Sequence, residues 1–334
     1  MPELRQNIAT REWVIIATER ARRPEEFVQP ATENLEERPA YSDSCPFCPG
    51  NEEMDLEQLR LPASGDWQLR VVKNRYPALQ EEGIRHEIDY GMYNAISGVG
   101  HHEVIIESRL HNTCPALETV EEVERTLLAF KLRGALIQED RRIEQIIYFK
   151  NHGLTAGASL VHPHTQLIAL PVVPYNILQR VNEQLHYYNA HRECVICRMV
   201  REEAAAGMRV VAESEHFIAF IPFAAYSPFH LWIVPRRHMG NYLDINDEEL
   251  RDLSVQLRTV LRRIYIGLNN PDYNYVIRTA PVTMSRNNYM HWYVTIIPRV
   301  MRSAGFEMGS GMFINTALPE ESARFLREVV LPPE

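Results

Sequence analysis

Four of the five cysteines stand in two Cys-x-x-Cys pairs, and each pair is followed by two histidines, 51 residues apart in the first half and 53 in the second. The first half runs Cys45, Cys48, His111, His162, and the second runs Cys194, Cys197, His238, His291. In a reducing compartment such a pair is a metal half-site or a redox pair. Thioredoxin-type redox pairs open a helix after a strand in a short domain, whereas Cys45 follows a polar, Pro-containing stretch, 22–44, that reads as a loop. A zinc site needs four ligands, so each pair needs two more, and the histidines are their natural source. Independent structural histidines rarely repeat in one order. The pattern therefore reads as an internal duplication with one metal site per half. The lone Cys114 lies close after His111 but reads as a buried thiol.

The hydropathy pattern repeats with the ligands. Strand patterns cover 69–76 and 102–107, a helical spacing of apolar residues covers 120–139, and strands return at 145–151 and 164–170. The second half replays this order, with strands at 209–212, 216–221 and 230–234, a helix over 247–267, and strands at 273–278 and 291–297. Asp247 is the expected N-cap, with Asn246 nearly as good. At 334 residues the chain has room for about two domains. Its net charge of −9 makes it a poor binder of nucleic acid or anionic membrane. No apolar run reaches the ~20 residues of a membrane helix, and Met1 to Gln6 lacks the apolar core of a signal peptide. A cytoplasmic protein with reduced cysteines is expected.

The segment richest in chemistry is Gly157 to Gln166, which contains His162-Pro-His164-Thr-Gln166. Residues two apart on an extended chain share a face, so His162, His164 and Gln166 point one way. His162 can serve a metal while His164 faces a substrate. Gln166 can donate an amide hydrogen to a phosphate oxygen. Ser159 and the backbone near Gly157 add donors for a phosphate cradle. A polar edge strand with two solvated histidines is the bland alternative. The Gly/Ser turn and the two Cys-x-x-Cys pairs weigh against it.

Four segments together resemble the galactose-1-phosphate uridylyltransferase family of the histidine-triad superfamily. They are Cys45-Pro-Phe-Cys48-Pro-Gly-Asn-Glu52, Val72-Lys73-Asn74-Arg75-Tyr76-Pro77, Gly157 to Gln166, and Gly305-Phe306-Glu307. The resemblance implies an α+β fold of two tandem histidine-triad-like halves, each an antiparallel sheet with a long helix, here 1–172 and 173–334. It implies that His164 is a nucleophile accepting a nucleoside monophosphate from a nucleotide sugar, with Gln166 and Ser159 holding the phosphates. Asn74 would contact the nucleoside, Asn151 would lie near the phosphates, and Phe306 and Glu307 would contact the hexose. Cys45, Cys48, His111 and His162 would bind a structural zinc. Family members are commonly homodimers with partner residues near the hexose, so a homodimer is expected.

The second half departs from the pattern. Superposing the halves puts Tyr293 where His164 stands and Thr295 where Gln166 stands, so one active site per chain is expected. Cys194, Cys197, His238 and His291 form a closed ligand set that leaves no open position, which makes a second zinc structural as well. The pair Cys194/Cys197 and the stretch Ala304 to Asn315 resemble the branch containing plant ADP-glucose phosphorylase. The favoured reading is transfer of UMP from UDP-glucose to galactose 1-phosphate through a covalent uridylyl-histidine. The alternatives are an ADP-glucose phosphorylase and a non-catalytic, zinc-stabilised nucleotide-binding protein. His101 and His102 read as divided between solvent and a strand face, and Trp232 and Trp292 as core.

Overall fold

The computed structural model describes residues 1–18, 22–28, 37–284 and 287–333. Part of the predicted loop over 22–44, residues 29–36, lies outside them. In the first half, β1 (Glu3–Gln6) and β2 (Trp13–Ile16) form a hairpin, and β3 (Glu57–Leu61) and β4 (Leu69–Lys73) a second. A surface hairpin, β5 (Glu87–Tyr90) and β6 (Tyr93–Ile96), precedes β7 (His101–Ile106). Helix α1 (Val120–Ile137) follows, then β8 (Gln145–His152) and β9 (His164–Leu170). Two helices, α2 (Tyr175–His191) and α3 (Val195–Ala206), open the second half. It continues through β10 (Val210–Glu213), β11 (Phe217–Phe220), β12 (Leu231–Pro235), α4 (Asp247–Leu268), β13 (Tyr273–Arg278) and β14 (Tyr293–Pro298). It ends with α5 (Gly305–Ser310), β15 (Phe313–Asn315) and α6 (Pro319–Glu328).

The expected α+β class and the repeated strand–helix–strand order are present. The two sheets are not separate, however. Antiparallel pairing of β8 with β13 fuses them into ten strands ordered β10-β11-β12-β14-β13-β8-β9-β7-β4-β3. β15 joins β2 in parallel, so the chain's C-terminal part closes a small sheet at the N-terminus. Among the described residues no helix is long and apolar enough to cross a membrane.

Alternation along the strands gives the large sheet two different faces. One carries Leu69, Val71, Ile105, Leu167 and Ala169 from the first half and Ala219, Ile233, Ile277 and Val294 from the second. Helices α1 and α4 cover it, burying Val123, Leu127 and Phe130 on one and Leu250, Leu253 and Leu257 on the other. Both helices start with capping boxes, Thr119 with Glu122 and Asn246 with Glu249. Asn246 rather than Asp247 therefore caps α4, because its carboxamide oxygen accepts from the Glu249 N–H at 2.8 Å. On the opposite face α3 packs Val195, Ile196 and Met199 against Ile218, Phe220 and Trp232 in the second half. Among the described residues the first half has no equivalent helix there. Trp67, Val72, Val104 and Ile106 cluster with Phe47 and Leu56 against them, beside an open pocket.

Helix α1 lies close against the sheet at Gly134, where a Cβ would overlap the Tyr148 hydroxyl and crowd Leu243. Tyr148 is fully buried and cannot swing aside. Gly134→Ala should therefore destabilise the protein by about 1–3 kcal/mol through overpacking, outweighing the ~1 kcal/mol that alanine gains in helix propensity. Chemical denaturation at constant m-value measures this, and a variant as stable as the parent would contradict it.

Candidate active site and metal centres

The two Cys-x-x-Cys pairs have different local structures. Cys45 and Cys48 lie in tight turns, with the Cys45 N–H donating to the Ser42 carbonyl and the Cys48 N–H to the Cys45 carbonyl. Cys194 is the N-cap of α3 and Cys197 sits in its first turn. Each local arrangement turns both sulfurs to one side. The long-range partners come from the sheet: His111 beyond β7, His162 just before β9, His238 beyond β12, and His291 just before β14.

In each half one donor atom from each of the four residues lies within 4.8 Å of the others. Cys45 Sγ and Cys48 Sγ are 3.7 and 3.6 Å from His162 Nδ1, and Cys48 Sγ is 3.5 Å from His111 Nδ1. In the second set Cys197 Sγ is 3.3 Å from both His238 Nδ1 and His291 Nδ1, and Cys194 Sγ is 3.9 Å from His291 Nδ1. Tetrahedral coordination with metal–sulfur and metal–nitrogen bonds of about 2.3 and 2.0–2.1 Å puts S and N roughly 3.6 Å apart. Both groups fit a metal ion. The His162 Nε2–H donates to the Ser108 carbonyl at 2.8 Å, which leaves Nδ1 with its lone pair aimed at the sulfurs. Burial holds His162 neutral, with its pKa lowered to about 4. Hydrogen bonding with Cys194, and with His238 and His291 beyond it, pulls the Cys197 thiol far below its ordinary range. Cys114 stays outside the group, buried in the main core, where desolvation pushes it up to about 12.

His164 opens β9 on the uncovered face. Its Nδ1 hydrogen goes to the His162 carbonyl at 2.8 Å, so Nε2 keeps a free lone pair. Phe47, from the Cys45–Cys48 turn, packs edge-on against the His164 ring at 5.5 Å. Burial lowers the His164 pKa to about 4, and the cation of Lys150 acts in the same direction. His164, Gln166, Ser159, Asn74 and Phe47 line one pocket of about 350 Å³, with Arg75 and Tyr76 at its rim.

Not all the residues expected at the site enter that pocket. Asn151 continues the β8 register to the position opposite His164, and its carboxamide oxygen accepts from Asn274 of β13 at 2.8 Å. Phe306 and Glu307 sit on α5, and Glu307 lines a different cleft in the second half. Within one chain they do not meet His164.

Two contributors to this site are not evident from the sequence. His102 takes the strand face and reaches the pocket. It accepts from the Ala78 N–H at Nδ1, 3.1 Å away, so its Nε2–H donates to Gln166 Oε1 at 2.9 Å. That bond turns the Gln166 amide nitrogen toward the pocket. The signal was the alternation His102, Val104, Ile106, which puts all three on the pocket face. Lys150 is buried beneath β9, paired with Glu107 at 2.6 Å and donating to the His164 carbonyl at 3.2 Å. A buried lysine in a strand carries no sequence signal without its partner.

Family models described as the N-terminal and C-terminal domains of galactose-1-phosphate uridyl transferase match residues 1–174 and 180–329. The chain belongs to the galactose-1-phosphate uridylyltransferase family. It is a nucleotidyltransferase of that family. It is 38% identical to ADP-glucose phosphorylase of Arabidopsis thaliana, over 99% of this chain and 93% of the relative. It is 29% identical to galactose-1-phosphate uridylyltransferase of Thermotoga maritima, over 98% of each. The crystal structure of the Arabidopsis ADP-glucose phosphorylase with bound ADP-glucose superposes with a TM-score of 0.83, at 34% identity, covering 99% of this chain and 100% of that one.

Closed four-ligand groups stabilise a fold and leave no position for substrate. Elemental analysis of the purified protein should find two metal ions per chain. The double variant Cys194→Ser/Cys197→Ser should retain one and unfold at a lower temperature, since binding energy at a structural site is folding energy. Two ions in the double variant would exclude this assignment.

Proposed function

We propose that the chain transfers a nucleoside monophosphate from a nucleotide sugar to an acceptor phosphate through a covalent intermediate on His164. The observation that carries this is the tautomer of His164. With Nδ1–H committed to the His162 carbonyl, the Nε2 lone pair faces a pocket that also holds Gln166 and Ser159. Attack of Nε2 on the α-phosphorus forms an N–P bond and breaks the bond from that phosphorus to the bridging oxygen, releasing a sugar 1-phosphate. An acceptor phosphate oxygen then attacks the same phosphorus and expels His164, which gives ping-pong kinetics. Gln166, held by His102, and Ser159 donate to the phosphate oxygens as charge shifts onto them. Asn74 serves the nucleoside, and Asn151 closes the phosphate end of the site.

UMP transfer from UDP-glucose to galactose 1-phosphate is supported by the family and by the Thermotoga relative. AMP transfer from ADP-glucose to inorganic phosphate is supported by the higher identity to the Arabidopsis phosphorylase over nearly the full chain. We take both metals to be zinc, the ion that thiolate–imidazole sets favour. The two halves act as units divided near residue 172, in a protein of the cytoplasm. Since Phe306 and Glu307 stand away from His164, a homodimer in which a second copy supplies them at the hexose is the arrangement that uses them.

Intact-protein mass spectrometry after brief exposure to UDP-glucose and, separately, to ADP-glucose tests this. A single nucleotidyl increment should appear with one donor and vanish in His164→Ala. A uridylyl increment selects the transferase reading and an adenylyl increment the phosphorylase reading. An increment that persists in His164→Ala would reject the proposed nucleophile.

A further inference from the structure

The strand registers carry the duplication down to single residues. β7 pairs Val104 with Gln166 and β12 pairs Trp232 with Thr295, so His230 occupies the place of His102. The bonds agree: His102 Nε2 meets Gln166 Oε1 at 2.9 Å, and His230 Nε2 meets Thr295 Oγ1 at 2.8 Å. Likewise β8 pairs Phe149 with Gln166 and β13 pairs Val276 with Thr295. Two residues further along each strand, Arg278 stands opposite Tyr293, at the place that Asn151 takes opposite His164 when the β8–β9 register is continued. The second half thus keeps the strand register of the first-half site with different chemistry along it.

That chemistry is cationic and unpaired. Arg278 and Arg180 of α2 together line a cleft of about 350 Å³ and an adjoining recess that contains His230 and Tyr293. Among the described residues neither arginine has a hydrogen bond or ion pair, although each is partly covered. The other well-covered arginines are matched: Arg70 with Glu57, Arg133 with Glu103, and Arg209 with Glu203 and Glu320. Burial and the charge of Arg180 lower the Arg278 pKa. Glu12 and Glu307 line the cleft without pairing with either arginine.

His230 is 2% exposed and adds a third unsatisfied donor. The Trp232 indole N–H donates to its Nε2 at 3.1 Å, which places the imidazole proton on Nδ1. That Nδ1 is buried without a partner. Leaving two guanidiniums and a buried N–H unmatched is costly. An anion in the recess would satisfy them together.

We propose that this face of the C-terminal half is a non-catalytic binding site for a phosphate group, held by Arg180 and Arg278. Paired guanidiniums present the forked donors that phosphate oxygens accept. Tyr293 at the nucleophile's position leaves the bound group unreacted. The choice of phosphate among anions rests on the proposed role of Asn151, whose place Arg278 takes, while the binding of an anion does not.

Calorimetric titration of the full protein with inorganic phosphate, and separately with glucose 1-phosphate, tests the site. The parent should bind two equivalents per chain. Arg278→Gln and Arg180→Gln should each weaken one of them about tenfold or more and leave the other unchanged. A higher affinity for glucose 1-phosphate than for phosphate assigns the site to the ester, and equal affinities assign it to the free ion. In phosphate-free buffer Arg278→Gln should melt no lower than the parent, because it removes an unmatched charge. No bound equivalent in the parent, or binding that survives both substitutions unchanged, would overturn the proposal. A single equivalent that both substitutions weaken would still support it and would count against phosphate binding at the His164 pocket, so failure of the nucleotidyl reading is told apart from failure of this one.

Discussion

A hydrogen bond from His164 Nδ1 to the carbonyl of His162 ties the uncovered face of the sheet to the Cys45 ligand group. The residue whose carbonyl accepts it donates its own Nε2–H to Ser108 and turns Nδ1 to Cys45 and Cys48. Two ring tautomers are therefore set in sequence by two backbone carbonyls. A metal in the Cys45 group would fix the His162 ring, and through the short His162-Pro-His164 link it would fix where His164 begins β9. Catalytic geometry tolerates errors well below 1 Å. A rigid closed centre adjacent to the proposed nucleophile is a direct way to supply that precision.

The halves show how one ladder can be put to two uses. In the first, the sheet face beyond β9 is uncovered, so His164 and Gln166 border a pocket. In the second, α3 packs on the same face and α2 brings Arg180 to its edge. Trp232 and Tyr293 stack at 4.2 Å and fill space that stays open around Val104 and His164. The four-ligand group is present in both halves, and both strand entries are held by it. The proposed nucleophile is present in one.

The ligand sets were legible because cysteines and histidines are scarce and their order repeats. The main strands and the helices α1 and α4 were legible because each buries one stripe against a common core. Helices α2 and α3 were not read, because α2 buries little beyond Val181 and Gln184 and its sequence is largely polar. Trp232 fulfils the core reading through its packing with α3, yet its indole N–H also sets the His230 tautomer. The part His102 plays was not legible for a related reason. It depends on Gln166, 64 positions away, and only strand pairing brings them together.

By itself the sequence determined the duplication, the eight metal-ligand candidates, the location of the proposed nucleophile and the loss of that nucleophile from the second half. These are matters of residue type and spacing, which a chain carries whatever its final shape. The tertiary structure decided that the two sheets fuse through β8 and β13, that Phe306 and Glu307 stand away from His164 in their own chain, and that Arg180 and Arg278 line one cleft with no hydrogen bond or ion pair among the described residues. Those features arise between residues far apart in sequence, and their energies depend on burial, which exists only once the layers have packed.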